Sequence, residues 1–113
     1  MSLAIRARFE PLRTLGFAAI GPAYMGVGTS IDHPIRQFLI QNQTDVLLIF
    51  SFDGINDHFD LPKDGYWVED VTANKTNTQG LFFAEGDRLY VRQDTAAPTR
   101  GKVSFSAIYG TDD

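Results

Sequence analysis

Residues 46–71, VLLIFSFDGINDHFDLPKDGYWVEDV, leave little choice of secondary structure. Residues 46–52 form an almost unbroken apolar run, too short for a stable helix and rich in branched and aromatic side chains, as expected of a central strand buried on both faces. Asp53-Gly54-Ile55-Asn56-Asp57 breaks that run, and residues 58–61 follow as a second short strand. In Pro62-Lys63-Asp64-Gly65 the proline presets φ for a tight turn and the glycine accepts a positive φ. Residues 66–71 then alternate, so the stretch reads as a three-stranded meander.

The rest of the chain repeats this grammar. Residues 14–20 read as a first strand with Leu15, Phe17 and Ala19 on one face. Residues 21–34 carry Gly21, Pro22, Gly26, Gly28 and Pro34, the punctuation of a long mobile or contact-making connection. Residues 36–42 form a strand with Phe38 and Ile40 inward, and Asn42-Gln43-Thr44-Asp45 is expected to turn it into a hairpin with the central run. Residues 72–80 are a polar loop, and residues 81–84 and 88–94 form a further hairpin in which Leu89 and Val91 oppose Arg88, Tyr90 and Arg92. The clearest period of two lies in residues 102–109, where Val103, Phe105, Ala107 and Tyr109 alternate with Lys102, Ser104 and Ser106. About eight short strands at close spacing, with no helical pattern, predict a single-domain antiparallel β-sandwich, jelly-roll-like in its strand number.

The 113 residues suffice for one domain. The first twelve show no clean period and are expected to form an extended N-terminal arm, leaving residues 13–113 as the sandwich. Arg6, Arg8 and Arg13 crowd that end against Glu10, whereas Asp53, Asp57, Asp60, Asp64, Glu69 and Asp70 surround only Lys63. Such a basic arm and acidic rim can pair between copies of the chain or simply be solvated. The net charge of −4 and the absence of a basic stripe argue against a nucleic-acid partner, and no run reaches the ~18 apolar residues of a membrane span. Residues 6–20 imitate a signal peptide poorly, because Glu10 and Pro11 sit in the charged part and Gly21-Pro22 cuts the apolar part short.

Chemistry is thinly signalled. The chain has no cysteine, and His33 and His58 each lack a second ligand at metal spacing, so no metal and no cofactor is expected. Asp53, Asn56, Asp57 and Asp60 gather oxygens, but Ile55 and His58 occupy positions that a calcium loop gives to a ligand and to the sharp-turn glycine. Gly26-Val27-Gly28 has no following helix to make a phosphate site, because Pro34 intervenes. Asn42-Gln43-Thr44 and Asn74-Lys75-Thr76 match the glycosylation pattern but read more simply as turns. Ser51, Ser104 and Ser106 sit in strands without an obvious base, so no enzymatic activity is expected; a hydrolase using Asp57 or Asp60 is the weakest alternative. Tyr66, Trp67, Tyr90 and Tyr109 could instead form a sugar-stacking platform, the carbohydrate-binding alternative.

Three segments taken together carry a resemblance. They are Ser51-Phe52-Asp53-Gly54 through Asn56-Asp57-His58-Phe59 to Leu61-Pro62 and Gly65; Gly80-Leu81-Phe82-Phe83 with Gly86 and Leu89-Tyr90-Val91; and residues 103–110, VSFSAIYG. Over residues 14–110 the chain resembles small all-β virion structural proteins of tailed bacteriophages. The resemblance implies a non-enzymatic, virion-located component present in many copies. That component would be a capsid decoration (cement) protein or, alternatively, part of the head-to-tail or tail apparatus. It would be a homo-oligomer that binds other virion proteins, such as the major capsid protein, through its arm and loops. The side chains expected to make those contacts are Arg6, Arg8, Phe9, Arg13, Tyr24, Met25, Asp57, Asp60 and Trp67.

Overall fold

The computed structural model describes residues 6–70 and 86–111. In chain order its strands are β1 (Arg6–Phe9), β2 (Arg13–Gly16), β3 (Met25–Gly26), β4 (Ile35–Asn42), β5 (Leu48–Ser51), β6 (Phe59–Leu61), β7 (Tyr66–Asp70), β8 (Tyr90–Gln93) and β9 (Lys102–Thr111). They form two antiparallel sheets. The five-stranded sheet runs β1-β9-β4-β7, with β2 also paired to β9, and the four-stranded sheet runs β3-β8-β5-β6. The all-β, two-sheet expectation holds.

Alternation decides which side chains fill the space between the sheets. On β9 the residues Val103, Phe105 and Ala107 point inward, and on β4 Ile35, Phe38 and Ile40 do so. Leu48 and Phe50 on β5 and Val91 on β8 meet them from the other sheet. Each fully buried side chain of this size stabilises the fold by about 1.5–3 kcal/mol. At the margin beside β6 and β7 the core is aromatic. Trp67 packs edge-on against Phe38 at 5.2 Å and Phe59 at 4.7 Å, and Phe59 stacks on Phe50 at 5.1 Å.

Several local expectations change once the sheets are in place. The strand expected over residues 14–20 stops at Gly16, and a single 3₁₀ turn, Phe17–Ala19, follows. Phe17 N–H donates to Gly101 O and Ile20 N–H to Phe17 O, so the chain turns a corner, leaves Phe17 and Ala19 in solvent, and returns Ile20 to the core. The connection at residues 21–34 is tied down: Val27 N–H donates to Leu89 O, Ile31 N–H to Asp87 O, and both side chains are buried. The hairpin expected between β4 and β5 does not form; those strands lie in different sheets. The meander likewise holds only for β5 and β6, because β7 crosses to pair with β4.

One buried side chain holds both crossings. The Asn42 amide donates to the carbonyls of Val46, Leu61 and Pro62, its Oδ1 accepts from Thr44 N–H and Oγ1, and its backbone N–H donates to Gly65 O. An asparagine so used is closed to glycosylation, while Asn74-Lys75-Thr76 lies outside the described residues. The partner strand expected at residues 81–84, the polar loop at 72–80 and residues 1–5 of the arm lie outside them as well. Residues 6–9 of that arm are β1, paired with the far end of β9.

Candidate functional site: two outer faces and a buried clasp

The outer face of the five-stranded sheet carries an apolar strip across its polar side chains, where a solvated sheet face would be polar throughout. Register places Phe9 beside Ile108, and Leu39 between Ser106 and Val68. Phe9 is 74% exposed, Tyr66 66% and Val68 61%. Between them Phe9, Leu39, Val68 and Ile108 line a groove of about 290 Å³. Gln37 and Ser106 border it with polar side chains, and Gln41 and Ser104 follow on the same face.

The outer face of the four-stranded sheet carries a polar network. Ile49 on β5 sits between Asp60 of β6 and Arg92 of β8. The Arg92 guanidinium donates to both oxygens of Asp57, at 3.3 Å and 2.8 Å, and lies 5.6 Å from the centre of the Tyr24 ring. The Tyr24 hydroxyl donates to the same carboxylate. Burial, and then its bond to Asp57, push the Tyr24 phenol up to about 12. The hydrogen bonds from Arg92 and Tyr24 hold the Asp57 carboxyl below the ordinary range. Asp57 and Asp60 share the wall of an open depression with Ile49, His58 and Phe59.

Beside it, Ser51, Asp53 and His58 look like a catalytic trio and are wired otherwise. Ser51 Oγ donates to Asp53 Oδ1 at 2.7 Å and accepts from the N–H groups of Asp53 and Gly54. His58 Nδ1 accepts from Phe52 N–H, which places the neutral ring's proton on Nε2, 3.6 Å from Asp53 Oδ2. The carboxylate therefore stands between serine and imidazole, and Ser51 is fully buried. A nucleophile needs the base against its own hydroxyl. What the trio does is fix a turn: the N–H groups of Asn56 and Ile55 bond Asp53 and hold its carboxyl far below the usual carboxylate range. Among the described residues no three His, Asp or Glu side chains converge as metal ligands would.

The third cluster closes the corner between β1 and β2. Glu10 and Arg13 are each only 4% exposed. Arg13 donates to the carbonyls of Thr29, Pro11 and Ser30 and pairs with Glu10 at 3.0 Å. Glu10 also accepts from Asp32 N–H and meets His33 Nδ1, whose ring stacks on Tyr109 at 3.8 Å. Burial raises the Glu10 pKa, but His33, the Asp32 amide and Arg13 together outweigh it and leave the carboxyl below its ordinary value. Gly28 sits against this clasp with φ +68, and a Cβ there would lie 2.8 Å from the Arg13 Cβ.

The expected contact residues thus separate. Phe9 opens onto the apolar groove, and Arg8 is exposed on the same strand. Tyr24 and Asp57 come together, Asp60 lies near them, and Met25 is half-exposed on β3. Arg13 is not available to a partner, since it is buried and each of its three guanidinium nitrogens bonds inside the chain. Trp67 turns inward and donates to Glu69 at 3.2 Å, so its faces serve the core, and Tyr66 points out instead. Sequence reasoning missed the Glu10–His33 and Asp57–Arg92 partnerships, whose members lie 23 and 35 residues apart. Compared with protein families, with curated proteins and with solved structures, the chain matches none.

Proposed function

We propose that this protein is a non-enzymatic structural component of a tailed-phage virion. In this reading it is a capsid decoration protein that docks on neighbouring virion subunits through the outer face of its five-stranded sheet. The observation that carries the reading is the apolar groove between Phe9, Leu39, Val68 and Ile108, rimmed by amide and hydroxyl side chains. Apolar patches with polar rims are what protein partners cover. The partner it fits is a protein surface presenting aliphatic or aromatic side chains. A jelly roll is part of the proposal: the orders β1-β9-β4-β7 and β3-β8-β5-β6 support two interlocked Greek keys, an architecture recurrent in viral capsids. Of the arm, only residues 1–5 are retained as a clasp on a neighbour, because residues 6–9 are β1 of the chain's own sheet and Glu10 is buried behind them. A place in the head-to-tail or tail apparatus is the other form of the same reading.

The test is mass spectrometry and immunogold labelling of purified particles of the phage that carries this chain. The protein should be present at many copies on heads, or at few copies near the tail in the second form; its absence from washed particles overturns the proposal. Phe9→Ser with Val68→Ser should abolish incorporation while leaving the purified protein folded. Deleting residues 1–5, which spares Glu10, should weaken incorporation; full incorporation would remove the arm from the reading.

A further inference from the structure

We propose that copies of this chain join head to tail, with β7 of one pairing with β1 of the next, so that the five-stranded sheets run on as one. The inference does not depend on the virion reading. β1 and β7 are outer strands on opposite sides of the same sheet, and each pairs on one side only among the described residues; β2, four residues with Arg13 and Gly16, continues the β1 side along β9. Every pairing across β1-β9-β4-β7 is antiparallel, so β7 of one copy meets β1 of a like-oriented neighbour antiparallel as well. No copy needs to be inverted.

Backbone parity agrees. Glu10 N–H donates to Ala107 O, which makes Glu10 and Arg8 the bonding residues toward β9 and leaves the N–H and C=O groups of Phe9 and Ala7 directed outward. Asn42 N–H donates to Gly65 O, which by the same alternation gives Trp67 and Glu69 to β4 and directs those of Val68 and Tyr66 outward. Phe9 opposite Val68 of the next copy is then a bonded pair, with an aromatic beside a β-branched side chain on the outer face. The adjacent pair on the other face is Arg8 opposite Glu69, both exposed and of opposite charge.

The chain's other free edges suit this role less. β3 has two residues, and β6 has three and ends at Pro62. β7 has five residues and no Pro, Lys, Arg or Gly; the charges that guard its edge are Glu69 and Asp70, and the pairing sets Glu69 opposite Arg8. Two different surfaces in contact make a heterologous interface, which closes into a ring or runs on as a filament. The apolar grooves of successive copies would lie along one continuous face.

Light scattering against concentration on the full-length chain reads this directly. Wild type should exceed monomer mass. Arg8→Glu and Glu69→Arg should each raise the dissociation constant at least tenfold, and the double variant R8E/E69R should restore assembly. A wild type that stays monomeric to ~200 µM overturns the proposal, as does assembly that the single reversals leave intact or that the double reversal does not recover. If a charge variant misfolds by circular dichroism, cysteines decide in a chain that has none of its own. Bonded antiparallel pairs stand about 5.5 Å apart at Cα, within disulfide range. Phe9→Cys with Val68→Cys in one chain should oxidise to a ladder of dimers, trimers and higher species. Monomers alone from that double variant, or a ladder from either single variant, would refute the pairing.

Discussion

The two outer faces of the sandwich are built on the same period of two and end in opposite states. On the four-stranded sheet Asp57, Arg92 and Tyr24 are occupied with one another, so water or a partner finds those groups already bonded. On the five-stranded sheet Phe9 and Val68 stand exposed over a groove with no polar side chain of their own to engage. Engaged charges gain little from a newcomer, whereas uncovered apolar surface gains about 25 cal/mol per Å² when covered. Covering the apolar groove would therefore gain more than covering the polar network, and in the proposed assembly Arg8 and Glu69 at the two edges of the sheet supply direction.

The comparison breaks most visibly at the clasp behind β1. Glu10→Ala leaves the Arg13 guanidinium buried without its carboxylate, and urea unfolding should show a loss of about 3–5 kcal/mol. A loss below about 1 kcal/mol would mean that the corner does not hold the apolar sheet's first strands in place. Next comes Asn42→Ala, which strips partners from three carbonyls where the chain crosses between sheets; about 2–3 kcal/mol is expected in the same measurement.

Asp57→Asn on the polar face should leave the urea unfolding curve nearly unchanged, because its ion pair with Arg92 is solvated. It should also move the Tyr24 phenol down from about 12 toward 10, read by ultraviolet titration at high pH. That phenol is raised in the folded state, so its contribution is complete below pH ~10 and fades as pH climbs toward 12. The carboxyls of Glu10, Asp53 and Asp57 are lowered on folding. Their contribution is complete above pH ~4.5 and is lost as pH falls below it, so acid should lower the unfolding midpoint and Glu10→Gln should flatten part of that dependence. The smallest change is expected from Phe9→Ser with Val68→Ser: at dilutions that keep both proteins monomeric, within about 0.5 kcal/mol of wild type, since both side chains are in water in the single chain.

Much of the architecture is legible in the residues. The alternation of 102–109 names the inward set of β9, the apolar run of 46–52 contains β5, and Leu89 and Val91 were separable from Arg88, Tyr90 and Arg92 on spacing alone. These readings hold because a strand's side chains alternate whichever neighbour it pairs with. Of the site, Phe9, Asp57 and Tyr24 could be singled out as residues of interest, but Arg13 could not be seen to be buried, nor Trp67 to be turned inward.

What the sequence settled by itself is local: an all-β chain, roughly where β2 and β4 to β9 fall, and which parity of β4 and β9 faces the core, while β1 and β3 were read as an arm and a connection. Only the tertiary structure decided which strand lies beside which, because sheet membership depends on contacts far apart in sequence that no local period encodes. Asn42 shows the difference. In the sequence it belongs to a turn of Asn, Gln, Thr and Asp, indistinguishable from a hairpin loop; in the fold its amide reaches Leu61 and Pro62 and sends two connections across to the opposite sheet. The exposure of Phe9 and Val68 has the same origin, since their apolar character is written in the chain while the lack, among the described residues, of any strand above them is a property of how the two sheets close.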